Sequence, residues 1–228
     1  EEHFRLITGF NDVFVVIACV LLLVSVAWIG NSVAGWSGGL AVAACAWGLA
    51  EFFVRQRHMA LPAIVLLVAF VGGLFTGLQS FSADEHGMWT VAAALLAAAG
   101  AWLHWRRFHV PITVAAGSAA LVAAVWVLLL QTFPALKDWI VLLALAGGVA
   151  VFGVALRWDA SDTGRTTGRS DVAFWLHLLA APLMVHPLFT TLARSHDGIA
   201  LWQGLAVLLA YAAIAVVSLV IDRRALMV

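Results

Sequence analysis

Apolar runs of about 20 residues recur along almost the whole chain, and they constrain its fold more than any other feature. A helix needs about 20 predominantly apolar residues to cross the hydrocarbon core of a bilayer. With 64% hydrophobic and 11% charged residues, the chain is far more apolar than a soluble domain. The sequence therefore predicts an all-α, polytopic integral membrane bundle of about eight transmembrane helices that form one domain, residues 1–228. The predicted spans are approximately 11–30, 36–54, 60–79, 88–105, 110–131, 138–157, 172–193 and 199–221.

The basic residues alternate in step with these spans. One set of connections carries ten of them, and the other set carries only Lys137 and Arg194. Lysine and arginine concentrate on the cytoplasmic side of membrane proteins, so both termini are predicted to be cytoplasmic. The predicted location is a cell membrane, specifically a bacterial inner membrane. The ten are Arg5, Arg55, Arg57, Arg106, Arg107, Arg157, Arg165, Arg169, Arg223 and Arg224.

Composition also restricts the partners. The formal net charge is zero, so nothing predicts binding to nucleic acid, and the lipid bilayer is the expected partner. Gly35 and Gly39, like Gly73 and Gly77, have the spacing of small residues that allows helices to approach closely. Such faces favour either a compact monomer or an oligomer.

The predicted seventh span is unusual because it contains two histidines and two prolines. Proline lacks an N–H and leaves a carbonyl one turn earlier without its helical partner, which is costly in hydrocarbon. Ionisable groups inside a membrane are also costly and mark functional sites by default. His177 and His186, with Pro182 and Pro187, therefore suggest a kinked helix that takes part in a polar site. The alternative is a kinked helix whose histidines bond to neighbouring helices.

Other polar residues sort by depth in the predicted topology. Near the cytoplasmic face lie Asp12, Glu51, His104, Asp171 and His177, whereas His186 lies near the outer face. We predict a substrate or proton site among these six. Two of the acids also have simpler interpretations. Glu51 is four residues before Arg55, the spacing of a helical ion pair, and Asp12 could cap the first helix.

No cofactor follows from the pattern. The chain has no HExxH or P-loop motif. A metal site would require His104, His177, Glu51 and Asp12 to converge, and a bis-histidine haem would require His104 to face His177. Cofactors, metals and catalytic residues therefore stay unassigned at this stage.

Two connections on the arginine-rich side resemble each other. Each has arginines, then His58 or His109, then Pro62 or Pro111 at the start of the next helix. A repeat of about 50 residues, as in some transporters, and ordinary helix-start chemistry both explain the likeness. The polar connection 158–171 is expected to be a mobile linker or a lid.

Three functions fit these features. The first is a carrier of a small solute or ion, or a proton-coupled permease, with a polar site in the cytoplasmic half around the seventh helix. The second is a membrane-embedded enzyme, with or without a metal ion, that acts on a lipid. The third is a non-catalytic membrane subunit that scaffolds a partner.

Overall fold

The computed structural model describes residues 9–81 and 87–193, together with Leu205 and Leu209. Within these residues the elements are all helical, which confirms the predicted all-α class. They are α1 (Phe10–Val33), α2 (Ser37–Ala50) with a π-helical turn (Glu51–Gln56), α3 (Ala60–Gln79), α4 (Gly87–Phe108), α5 (Ile112–Thr132), a 3₁₀ turn (Pro134–Trp139), α6 (Ile140–Ala160) and α7 (Gly168–Ala193).

Six helical segments of the described residues are long and apolar enough to cross a membrane. They correspond to the first six predicted spans, including the alanine-rich fourth one. The chain is therefore a multi-pass membrane protein. The seventh predicted span is the continuous helix α7, with Pro182 and Pro187 inside it. The eighth, 199–221, lies outside the described residues except for Leu205 and Leu209, so the count of eight stays a prediction.

Contacts between helix ends show that the helices alternate in direction. Rings of Trp105 and Trp158 meet at 6.3 Å where α4 and α6 finish. At the opposite end, Gln79 at the end of α3 donates a hydrogen bond to Thr90 near the start of α4, at 3.1 Å. One end of the bundle thus carries seven described arginines, which we call the arginine-rich end: Arg55, Arg57, Arg106, Arg107, Arg157, Arg165 and Arg169.

Glycines allow helices α2 and α3 to approach each other closely. A Cβ added at Gly73 would lie 2.6 Å from the carbonyl oxygen of Gly39, and one at Gly77 would lie 3.0 Å from the amide nitrogen of Leu40. The predicted close approach through Gly39, Gly73 and Gly77 is confirmed within one chain. Gly35 takes no part, because no heavy atom of the described residues, apart from its chain neighbours, lies within 4 Å of its Cβ position.

His58 and His109 occupy equivalent positions in the two similar connections. Their φ angles are 55° and 53°, in the left-handed region that histidine enters more readily than most residues. In each case the histidine amide bonds to a carbonyl four residues earlier, in Val54 and Trp105, and thereby ends the helix. The likeness between the connections therefore extends to backbone conformation.

The connection between α6 and α7 is short and organised by Asp162. Its carboxylate accepts hydrogen bonds from the amides of Thr166 and Thr167, at 3.2 and 3.0 Å, and from the Thr167 hydroxyl, at 2.8 Å. The hydroxyl bond is the main cause that lowers the pKa of Asp162 below its ordinary value. The carboxylate of Asp162 therefore holds the residues that directly precede α7.

We expect this loop to loosen in acid. Because the pKa of Asp162 is lower in the folded loop, its contribution is complete above the ordinary value near 3.9. It is lost as pH falls through the lower, folded pKa. Amide exchange of Thr166 and Thr167, corrected for intrinsic rates, should show constant protection from pH 7 to about 5 and a loss below about 4. An Asp162→Asn variant should lack this pH dependence, and equal loss in both proteins would contradict the assignment.

Candidate functional site

His104 is the most buried ionisable side chain among the described residues, with 0% of its surface exposed. Helix α4 places its ring among Trp47 of α2, Phe70 of α3 and Phe108 of α4, at centroid distances of 6.0, 5.8 and 4.5 Å. Its Nδ1 lies 3.4 Å from the hydroxyl of Thr113, in the first turn of α5. The imidazole therefore lies where four helices meet, in surroundings that are aromatic apart from one hydroxyl.

The second nitrogen of this imidazole, Nε2, has no hydrogen-bond partner in the described part of the chain. Thr113 is also buried, and Nδ1 is an acceptor within reach of its hydroxyl, so we assign the hydroxyl as the donor. A neutral imidazole then carries its proton on Nε2. This buried donor without an acceptor costs about 1–3 kcal/mol. A group of this kind needs an explanation in strain, function or a bound molecule.

An apolar groove lies directly beside His104 on the outer surface of α2, α3 and α4. Its cavity volume is about 440 Å³, within the range of small-molecule sites. Trp47 and Phe70 line the groove and also contact the imidazole. The groove and the buried imidazole therefore share these two rings. The other lining residues are Leu40, Ala43, Ala44, Leu74 and Leu103.

Glu51 belongs to a different polar group, at the arginine-rich end. Its carboxylate accepts two hydrogen bonds from Arg107, at 2.7 Å from Nε and 3.0 Å from Nη2. Arg55 is a weaker third partner at 3.4 Å. The predicted i, i+4 pair with Arg55 is confirmed, but the stronger partner is 56 residues away in sequence. The pairing joins the π turn after α2 to the end of α4.

Asp12 also joins two helices instead of capping its own. The residue before α1 is Gly9, and no side chain caps this helix, so the predicted cap by Asp12 is wrong. The buried carboxylate accepts a hydrogen bond of 3.5 Å from the amide of Leu61 in the first turn of α3. An anion is favourable there, because the first amides of a helix lack internal partners.

The predicted residues of the seventh span lie elsewhere. Half-buried His177 packs against Phe152 of α6, with ring centroids 5.2 Å apart. Asp171, in the first turn, and His186 are exposed. Gly148 of α6 allows α6 and α7 to approach each other closely. A Cβ at Gly148 would lie 3.1 Å from the amide nitrogen of Met184, within the stretch that contains both prolines.

The structure thus distributes the six predicted residues over several environments. Helix α7 packs on α5 and α6, whereas Glu51 and Asp12 lie among α1 to α4. In the described residues, no three histidine, cysteine, aspartate or glutamate side chains are grouped as metal ligands would be. His104 is the predicted residue with the strongest functional geometry. Thr113 was not predicted as its partner, because no sequence spacing relates the two. Trp47 of α2 packs against Phe70 of α3 beside His104.

Searches of protein-family models, curated proteins and solved structures each find no match to this chain.

Proposed function

We propose that this protein is a membrane carrier for a small lipophilic molecule that enters the α2–α3–α4 groove from the bilayer. The molecule would carry a hydrogen-bond acceptor, such as a carbonyl or hydroxyl oxygen, that pairs with His104 Nε2–H. The single observation that supports this is the fully buried Nε2 without a partner, in an imidazole whose neighbouring rings Trp47 and Phe70 also line the groove. The proposal keeps the carrier class predicted from sequence, in a cell membrane such as a bacterial inner membrane. It moves the site from α7 to His104.

The physical argument rests on the cost of leaving a donor unpaired. In lipid, no water is at hand to satisfy a buried polar group. An acceptor supplied by a ligand would recover this cost, while Trp47 and Phe70 would contact its apolar part. We expect binding to require that these two rings shift, since both line the groove and contact the imidazole.

A second candidate is the scaffold subunit, and one observation favours it. Glu51 and Asp12 are satisfied within the bundle, by Arg107, Arg55 and the amide of Leu61. The His104 N–H could likewise be satisfied by the face of a neighbouring ring, a weak but recognised contact. In that case all these polar groups would be structural.

Native mass spectrometry of protein purified in mild detergent tests the proposal. The wild type should retain a lipophilic molecule that is not a bulk phospholipid. His104→Phe keeps a ring but removes the donor, so it should reduce occupancy about tenfold, the value of one hydrogen bond. Its free energy of unfolding should stay within about 1 kcal/mol of the wild type or rise, because an unpaired polar group is removed.

His177→Phe is the matched control, because it makes the same change on α7. It should leave occupancy unchanged if the site is at His104. Loss of the molecule only in His177→Phe would place the carrier site on α7 instead. A wild type that retains nothing, with His104→Phe equally or more stable, would favour the scaffold. Once the molecule is identified, faster exchange between proteoliposomes by the wild type than by His104→Phe would establish carriage.

A further inference from the structure

A second cavity lies at the arginine-rich end, between the end of α6 and the start of α7. Its volume is about 290 Å³, and its lining residues are Arg157, Trp158, Ser161 and Arg169. It is separate from the groove beside His104, which is formed by α2, α3 and α4. The two charged residues that line it are both cationic and both exposed.

Nearby carboxylates do not neutralise these two guanidinium groups. Among the described residues, neither Arg157 nor Arg169 lies within 4 Å of a carboxylate. The carboxylate oxygens of Asp162 accept hydrogen bonds from Thr166 and Thr167. Asp159 and Asp171 are the other acids of this region, and neither lines the cavity.

The apolar wall of the cavity is held in place. Trp158 meets Trp105 edge to face, and it is half-buried against the core formed by α5, α6 and α7. The Ser161 hydroxyl donates to the carbonyl of Trp158, at 2.7 Å, so the arginines are the free donors. Tryptophan at the end of a span is typical of the headgroup level of a bilayer.

We propose that this cavity binds the phosphate group of an anionic phospholipid, with Arg157 and Arg169 as the donors and Trp158 beside the glycerol backbone. Guanidinium groups match phosphate oxygens in two-point hydrogen bonds, and basic pockets between helices at the cytoplasmic side bind lipid headgroups. The inference is independent of the proposed carrier function, because it uses no residue of the His104 groove.

Thermal unfolding in neutral detergent with added lipid tests it. Phosphatidylglycerol should raise the melting temperature more than phosphatidylcholine at equal mole fraction. An Arg157→Gln/Arg169→Gln variant should bind phosphatidylglycerol about 25-fold more weakly, since each arginine near anionic lipid contributes about fivefold. Arg165→Gln is the matched control, because Arg165 lies in the loop between α6 and α7 but does not line the cavity. It should bind as the wild type does.

Several results would overturn the proposal. In the first, Arg165→Gln weakens the binding of phosphatidylglycerol as much as the double glutamine variant does. In the second, phosphatidylcholine raises the melting temperature as much as phosphatidylglycerol does. In the third, no lipid raises the melting temperature. Millimolar inorganic phosphate should not change the melting temperature of the protein in phosphatidylcholine nanodiscs. An increase equal to that caused by phosphatidylglycerol would mean that the cavity binds soluble phosphate instead of a lipid. If the glutamine variant fails to fold, Arg157→Lys/Arg169→Lys keeps both charges and should show intermediate affinity. Wild-type affinity in that folded lysine variant would contradict two-point binding.

Discussion

Gly73→Ala should lower the free energy of unfolding by about 3 kcal/mol, the upper part of the range for overpacked cores. The added methyl group would lie 2.6 Å from the carbonyl oxygen of Gly39 and 2.8 Å from the amide nitrogen of Ala43. Both are backbone atoms, so no side-chain rotation relieves the overlap. Helices α2 and α3 must separate instead, along the contact that also contains Gly77. Thermal or denaturant unfolding in detergent, followed by circular dichroism, measures the loss.

Gly72→Ala is the control, because it makes the same change one residue earlier in α3. Beyond its own helical turn, no heavy atom of the described residues lies within 4 Å of the Cβ position of Gly72. Alanine is also a better helix former than glycine by up to about 1 kcal/mol. Stability should therefore be unchanged or slightly higher. Equal losses in the two variants would mean that the close approach of α2 and α3 does not stabilise the protein.

Arg107→Gln should give the second large loss, about 2 kcal/mol. It removes the two-point pairing that joins the π turn to the end of α4 and leaves Glu51 with Arg55 alone. Hydrogen bonds to charged groups contribute about 1.5–3 kcal/mol. Since the Glu51 and Arg107 side chains are 30% and 39% exposed, solvent screening keeps the loss well below that of a fully buried pair. Arg55→Gln, which removes the 3.4 Å contact, should cost less than 1 kcal/mol.

A double-mutant cycle with Glu51→Gln separates pairing from proton chemistry. If Glu51 serves mainly to join α2 and α4, the double variant Glu51→Gln/Arg107→Gln should be more stable than the sum of the single losses predicts. Glu51→Gln alone should then destabilise the protein. Unchanged stability of Glu51→Gln, together with loss of the molecule bound near His104, would instead favour the proton site predicted from sequence.

The first six spans could be predicted from sequence because the bilayer is a uniform apolar solvent along each helix. Predicted and observed boundaries differ by a few residues, as for 88–105 against Gly87–Phe108. Prolines and arginines in the connections indicated where the predicted spans end. The alternation of basic connections also agrees with the contacts of Trp105 with Trp158 at one end of the bundle.

Partners of the polar residues could be predicted only where they are close in sequence. Glu51 with Arg55 follows from helical spacing. The other partners are further away in sequence: Arg107 is 56 residues from Glu51, Leu61 is 49 residues from Asp12, and Thr113 is 9 residues from His104. Depth in the predicted topology placed His104 and His177 at one level. It could not show that the two histidines lie against different helices. His104 contacts Trp47 of α2 and Phe70 of α3, whereas His177 contacts Phe152 of α6.

Sequence by itself determined that the chain is helical, that it belongs in a membrane, and which ends of its helices are basic. These properties depend on each segment and its solvent, so a single run of residues decides them. The tertiary structure alone decided that Gly39 meets Gly73, that Gly35 meets nothing, and that His104 is enclosed while His177 is half-buried. The physical reason is that lipid tails are as apolar as leucine. Hydrophobicity therefore carries helices into the bilayer without selecting their neighbours, which depend on shape and on a few polar contacts.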